Sequence, residues 1–204
     1  GFRRSELWEQ EQQEMLRMLQ ALVQWECADE SAIFQPFQQE LQFGLPGDAA
    51  PALQIDHQGV QLELSGVIDR IDIDGAGRLR VIDYKSSATT ISKMAVLEGR
   101  SMQVALYALA AERLFPDHPV AESYYLHLPR RSRGAHLKFN GPVGEDGAVL
   151  AALDRVAEAV RATREGIFPN APKKVHADRA CAAWCELSAL CRVSRARLAK
   201  AGGG

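Results

Sequence analysis

The amino-acid sequence predicts an α/β fold in which a mixed β-sheet is flanked by helices. Two neighbouring segments rich in Ile and Val are joined by a short glycine-bearing turn, as in an antiparallel hairpin. A helix-like segment precedes this hairpin, and a further apolar strand lies between two later helix-like segments. Strands that alternate with helices in this way indicate a layered α/β domain.

The length and composition are typical of one globular domain. The chain has 204 residues, of which 47% are hydrophobic and 25% are charged. No apolar run approaches the ~18 residues that a membrane-spanning helix needs, and no apolar signal segment follows Gly1. We therefore expect a cytoplasmic protein with no membrane partner. Because the chain begins without Met, we also expect it to be a fragment of a longer protein.

Three segments have apolar residues at helical spacing. Residues 5–27 form the first, and its Glu-rich outer face either belongs to a helix packed on its own domain or binds a partner. Residues 94–115 predict a single helix that ends before Pro116. Residues 147–165 predict the last helix, and Gly166 occupies the position that commonly follows a helix C-terminus.

The clearest strands are residues 66–74 and 79–85. The turn Asp74-Gly75-Ala76-Gly77 between them predicts an antiparallel hairpin, which we take as 66–86. Weaker patterns predict further strands, and a Pro- and Gly-bearing loop is expected before the second of them. These further strands are 37–45, 58–64, 120–128 and 136–139.

Two aspartates of the hairpin lie on the more apolar face of the predicted sheet. Alternate side chains of a strand share a face, so Asp83 accompanies Val81 and Lys85, and Asp69 accompanies Ile71. A desolvated carboxylate is costly unless a cation or hydrogen bonds compensate. Two carboxylates with one lysine leave an excess negative charge, which a divalent metal ion would balance.

Oxygen ligands with open coordination positions suit Mg²⁺ or Mn²⁺. Such a metal polarises a phosphodiester and lowers the pKa of a bound water, and Lys85 could orient that water or neutralise the developing charge. The alternative interpretation is a structural ion pair among Asp83, Lys85 and Arg70.

Three motifs follow one another along the chain in a fixed order. They are Gly66-x-x-Asp69-Arg70-Ile71-Asp72, then Asp83-Tyr84-Lys85, then Gln103-x-x-x-Tyr107 on the following helix. In this order they resemble the signature of RecB/AddB-type nuclease domains of the PD-(D/E)XK superfamily. The resemblance implies a restriction-endonuclease-like core, and the activity of a DNA repair exonuclease or helicase-associated nuclease.

The resemblance also implies which residues carry the chemistry. Asp69, Asp83 and the main-chain carbonyl of Tyr84 would bind Mg²⁺ or Mn²⁺. Lys85 would be the catalytic lysine. Glu40 matches an upstream Glu of the family that contributes to the metal site, although an exposed strand Glu is the alternative interpretation of this residue.

Four residues are predicted to position DNA. The resemblance assigns Gln103 and Tyr107 to this role or to bracing the site. Arg130 and Arg131 have no acidic neighbour and could neutralise phosphates, with a solvated loop as the alternative. The net charge of −2 does not oppose this prediction, because residues 1–30 hold three basic and seven acidic side chains whereas residues 161–204 hold nine basic and three acidic ones.

The C-terminal cysteines Cys181, Cys185 and Cys191 are similar to the cysteine tail of AddB-type nucleases. The resemblance implies a [4Fe–4S] cluster in the full-length protein, completed by an early cysteine. Because the context of Cys27 does not match that cysteine, we expect an incomplete cluster in this fragment. Zn²⁺ bound by the three thiolates and a fourth ligand such as His176 is the alternative.

Together these observations predict a nuclease core at residues 1–170 and a cysteine-bearing tail at 171–204. The core would hydrolyse DNA in repair or recombination, on single strands supplied by a helicase partner. One alternative is a catalytically silent module with the same fold that binds DNA or a helicase. A second is a structural metal-binding module centred on the cysteines, which leaves the hairpin carboxylates unexplained.

Overall fold

The computed structural model describes residues 6–28, 33–47, 50–87 and 89–167. Contacts divide the chain into two units, Gly1–Val160 and Arg161–Gly204. The first unit contains every strand of the described ranges. In the second, the described residues form the end of the last helix and the turn that leads to Ile167. The predicted boundary between 170 and 171 lies outside the described residues and stays a prediction.

A five-stranded mixed sheet forms the centre of the first unit, as the sequence predicts. Its order is β1-β4-β5-β6-β7, and only the β5–β6 pair is parallel. The connection from β5 to β6 must therefore cross one face of the sheet, and it does so through helices. The strands are β1 (Phe34–Phe43), β4 (Gly66–Asp74), β5 (Leu79–Lys85), β6 (Val120–His127) and β7 (Ser132–Lys138).

Helices cover both faces of this sheet. The main core packs side chains of β4 and β5 such as Ile71 and Val81 against later helices. On the other face, Leu22 of the first helix packs on Ile82 and Leu126. The helices are α1 (Glu6–Cys27), α2 (Lys93–Leu97), α3 (Gln103–Leu114) and α4 (Gly147–Arg164). In the part of the chain that the structure describes, none of the helices is long and apolar enough to span a membrane.

The segment 94–115 departs from the predicted single helix. It contains two helices, α2 and α3, because Gly99 adopts a left-handed conformation with φ of +63° and ends the helical turn. A side chain at this position would also collide with Arg155 of α4, whose Cγ occupies the space that a Cβ would need. The break directs Ser101 and Gln103 toward the sheet.

A second, two-stranded sheet is only half predicted by the sequence. It pairs β2 (Leu53–His57) with β3 (Val60–Leu64), and only the β3 half is expected from the sequence pattern. The turn between them uses Gln58 and Gly59, both with positive φ, as a two-residue hairpin loop requires. The last strand is also longer than predicted, since β7 begins at Ser132 instead of residue 136.

Candidate active site

The hairpin of β4 and β5 places the two predicted carboxylates side by side. Arg70 pairs with Ile82 and Ile71 with Val81, so the next pair in this register is Asp69 opposite Asp83. Val81 packs in the main core and alternation places Asp83 on the same face, while the charge of Asp69 acts on Asp83, so the two carboxylates lie close together. Residues 66–74 and 79–85 therefore form the predicted hairpin with its predicted bounds.

Asp83 is the least compensated carboxylate of this face. Its side chain is 2% exposed, and its Oδ2 atom has an ion pair with the Lys85 ammonium at 2.5 Å but no hydrogen bond of good geometry. Burial raises the pKa of Asp83, and the negative charge of Asp69 raises it further, while Lys85 lowers it. One lysine thus does not offset the burial and the second carboxylate, which is the excess negative charge that the sequence predicts.

Asp69 is held by the backbone of the neighbouring strand. Its Oδ2 accepts a hydrogen bond of 2.7 Å from the main-chain N–H of Tyr84. This bond fixes the carboxylate at Tyr84, the residue whose main-chain carbonyl is the predicted third metal ligand. The contact joins the first two motifs, which lie 15 residues apart in sequence.

The third motif contacts the same site from α3. The ammonium of Lys85 donates a hydrogen bond of 2.8 Å to Oε1 of Gln103. Tyr107, one turn further, packs edge-on against Phe43 and covers Gly66. A Cβ at Gly66 would lie 3.3 Å from the Tyr107 ring, so the first residue of the first motif is a glycine that admits the last residue of the third.

Glu40, Arg130 and Arg131 lie around this site without touching it. In the β1–β4 pairing, Glu40 falls between the partners of Arg70 and Ile68, and hence opposite Asp69. Its side chain is exposed and its φ of 49° marks a local irregularity of the strand. Arg130 and Arg131 are exposed on the turn after β6, at the end of the sheet where Lys85 lies.

Arg70 belongs to the opposite face of the sheet. It donates to both carboxylate oxygens of Glu26 on α1 at 2.8 and 3.0 Å, and to Asp72 at 2.6 and 3.1 Å. Burial lowers the pKa of Arg70, but the hydrogen bonds with Asp72 and Tyr84 outweigh it and raise this pKa above its ordinary value. The alternative ion pair of Asp83, Lys85 and Arg70 is therefore present only as its Asp83–Lys85 half.

Tyr125 joins this site although its sequence context does not single it out. Its ring lies 5.1 Å from the Lys85 ammonium, and its side chain is fully buried. In sequence, Tyr124 and Tyr125 are equivalent strand tyrosines. Only the register of the parallel β5–β6 pair, which sets Tyr125 opposite Asp83, distinguishes them.

The donor set of the site fits a hard divalent cation. Within the described ranges, no three His, Cys, Asp or Glu side chains come together as a complete metal-binding group. Two carboxylates and a main-chain carbonyl nevertheless suit Mg²⁺, which commonly binds one or two carboxylates and keeps water or phosphate oxygens as its other ligands. The excess negative charge of Asp83 beside Asp69, which Lys85 offsets only in part, is the charge that such a cation would balance. The cysteines Cys181, Cys185 and Cys191, with His176, lie outside the described residues.

The comparisons with known proteins agree with the motifs. The family model of the PD-(D/E)XK nuclease superfamily matches residues 2–192, nearly the whole chain. The chain therefore belongs to the PD-(D/E)XK nuclease superfamily, and its mixed sheet flanked by helices is consistent with the fold of that superfamily.

The curated relatives are large proteins of which this chain matches a small part. A protein of Moorella thermoacetica that is named as a subunit of an ATP-dependent helicase/deoxyribonuclease is 37% identical over 125 residues, which cover 56% of this chain and 10% of the relative. The protein of the same name from Lacticaseibacillus casei is 32% identical over 163 residues, or 69% of this chain and 14% of the relative. That from Listeria welshimeri is 41% identical over 81 residues, or 38% of this chain and 7% of the relative.

Proposed function

We propose that this chain is the nuclease domain of an AddB-like protein and hydrolyses DNA phosphodiesters with Mg²⁺ or Mn²⁺. One observation carries the proposal above the others. Asp83 is buried beside Asp69, and its ion pair with Lys85 does not offset the burial and the second carboxylate, since its pKa stays raised. A domain that served only as a scaffold would gain nothing from this arrangement, because a buried carboxylate whose charge is only partly compensated destabilises the fold.

In the proposed site Asp69, Asp83 and the Tyr84 carbonyl would hold the metal, and Glu40, opposite Asp69 on β1, would contribute to it. The bound metal would polarise the phosphodiester and lower the pKa of the attacking water. Lys85 faces the same site and would neutralise the charge that develops on the phosphate oxygens. Its hydrogen bond to Gln103 and its ion pair with Asp83 define where its ammonium lies.

The same end of the sheet offers a path for a DNA strand. Gln103 contacts Lys85 from α3, and Tyr107 lies over Gly66. Arg130 and Arg131 are exposed beyond the end of β6, where they could contact phosphates. The names of the relatives join a helicase to a deoxyribonuclease, which supports a helicase as partner and a role in DNA repair or recombination. Preference for single strands, exonuclease action and a cytoplasmic location stay predictions.

A cleavage assay tests the proposal. The 204-residue chain is incubated with labelled single- and double-stranded DNA and Mn²⁺, beside Asp83→Ala and, as a matched control, Asp56→Ala, which changes an aspartate of the separate β2–β3 sheet. We expect cleavage by the wild type and by the control, and none by Asp83→Ala. Binding of DNA without cleavage by any of the three would favour the silent module. Equal cleavage by all three would contradict the site.

The cysteine tail calls for a separate measurement. We propose that Cys181, Cys185 and Cys191 contribute to a [4Fe–4S] cluster in the full-length protein. Iron and zinc contents with the visible absorbance of the anaerobically purified protein distinguish the cluster from zinc. Stoichiometric zinc, without iron, in the full-length protein would contradict the cluster.

A further inference from the structure

Tyr125 lies under the proposed site at the junction of two motifs. It is fully buried on β6, and the parallel pairing sets it opposite Asp83 on β5. Its ring faces the same side of the sheet as Asp83, toward α3. Tyr125 belongs to none of the three motifs, so its role is inferred from its contacts.

The Tyr125 hydroxyl anchors the start of α3. It accepts a hydrogen bond of 2.9 Å from the hydroxyl of Ser101, two residues before Gln103. Met102 at the N-cap of α3 supplies no side-chain bond, so the bond to Ser101 fixes the segment that leads into the helix. Burial raises the pKa of Tyr125, so this group remains a neutral phenol.

The Tyr125 ring also contacts Lys85, which is the hydrogen-bond partner of Gln103. The Lys85 ammonium lies 5.1 Å from the ring centroid, within the range of a cation–π interaction, and donates to Gln103 at 2.8 Å. One side chain thus supports Lys85 with its ring and fixes the segment around Gln103 with its hydroxyl.

We propose that Tyr125 is a positioning residue, which fixes Lys85 and Gln103 relative to each other. The catalytic consequence rests on the proposed function: Lys85 would meet the scissile phosphate in the correct place only while this support holds. A displacement of about 1 Å in an active site can cost up to about 10²-fold in rate, so the loss of one anchor is expected to be measurable.

Hydrogen–deuterium exchange tests the anchor independently of activity. Tyr125→Phe keeps the ring and removes the hydroxyl, whereas the control Tyr124→Phe makes the same change one residue earlier, on the opposite face of the strand. We expect amide exchange at residues 101–104 to become about fivefold faster in Tyr125→Phe, the factor for one hydrogen bond, and to stay unchanged in the control. Ser101→Ala, which removes the donor of this bond, provides a second variant should Tyr125→Phe not fold. Unchanged exchange at residues 101–104 in both variants would overturn the proposal.

Steady-state cleavage then separates positioning from folding. In Tyr125→Phe we expect kcat to fall about tenfold while KM for DNA and the affinity for Mn²⁺ are retained, and in Tyr125→Leu, which also removes the ring, we expect a larger fall. Equal kcat in Tyr125→Phe and Tyr124→Phe would overturn the catalytic role. A wild type that never cuts DNA would instead overturn the proposed function, and the exchange experiment would still decide whether Tyr125 anchors α3.

Discussion

The two faces of the β4–β5 hairpin carry similar charged residues in very different states. On one face, Asp72 is fully buried and accepts four hydrogen bonds, two from Arg70 and two from Arg80. On the other face, Asp83 is 2% exposed and has a single ion pair, with Lys85. The same two strands supply both carboxylates.

The difference separates a structural carboxylate from a functional one. The guanidinium groups of Arg70 and Arg80 balance the charge of the buried Asp72 carboxylate. Arg70 also binds Glu26, so the same network joins α1 to the hairpin. Asp83 instead lies next to a second carboxylate, and its pKa is raised by burial and by Asp69. Stability favours the first arrangement and opposes the second, so the second is explained by a ligand that the face binds.

The largest expected effect is the loss of DNA cleavage when Asp83 is replaced. Asp83→Asn should reduce the rate of DNA cleavage more than about 10³-fold, at the upper end of what removal of one electrostatic group costs. The protein should remain folded, because the substitution removes a charge that the fold disfavours. Single-turnover cleavage with Mn²⁺, alongside circular dichroism, measures both. A well-folded Asp83→Asn variant with near wild-type activity would contradict the functional role assigned to Asp83.

Replacement of Lys85 should lower the rate of cleavage less than replacement of Asp83 does, and it should leave metal binding intact. Lys85→Met is expected to lower kcat about 10²-fold while Mn²⁺ still binds, because the ammonium neutralises charge and is not a metal ligand. Lys138→Met, at the opposite end of the sheet, serves as the control. Kinetics and calorimetry together check this prediction. If Lys85→Met abolished Mn²⁺ binding, the role assigned to the lysine would be wrong.

Replacement of Asp72, on the opposite face of the hairpin, should lower the stability of the fold. Asp72→Asn leaves two buried arginines without their shared carboxylate, and we expect the free energy of unfolding to fall by about 3–5 kcal/mol. Chemical denaturation measures this loss. Activity per folded molecule should be retained at low temperature, in contrast to Asp83→Asn. A loss below about 1 kcal/mol would show that the ion network contributes little.

The smallest effect is a pH dependence of the metal-free protein. Because the folded-state pKa of Asp83 is raised above the ordinary 3.8, its protonated form stabilises the fold at low pH, and this contribution is lost as the pH rises through the raised pKa. Asp83→Asn should therefore gain stability relative to the wild type as the pH rises from about 4 to about 8. Thermal unfolding with a chelator checks the sign. If the stability of Asp83→Asn relative to the wild type decreased as the pH rises, the predicted direction would be wrong.

Much of this arrangement follows from local sequence. The hairpin bounds can be predicted because Ile and Val alternate with charged residues on both sides of a glycine turn. The same alternation assigns Asp69 and Asp83 to one face and Arg70 to the other. Family membership, predicted from three short motifs, is confirmed by a match over residues 2–192.

The features that the sequence does not reveal depend on long-range contacts. The predicted helix over 94–115 spans Gly99, and the break between α2 and α3 follows from the positive φ that this glycine adopts beside Arg155. Strand β2 has a short apolar pattern beside Pro51, which is too weak without its partner β3. The role of Tyr125 depends on the register of a parallel pair that is joined by a crossover, and no local pattern encodes that register.

Titration of the chain with Mn²⁺ in a calorimeter tests the central claim most directly. The wild type is compared with Asp83→Asn and Asp72→Asn, which make the same chemical change on opposite faces of the hairpin. We predict one Mn²⁺ site in the wild type that is lost in Asp83→Asn and kept in folded Asp72→Asn. Binding that is equal in Asp83→Asn and in the wild type would contradict the claim that this face exists to hold a metal.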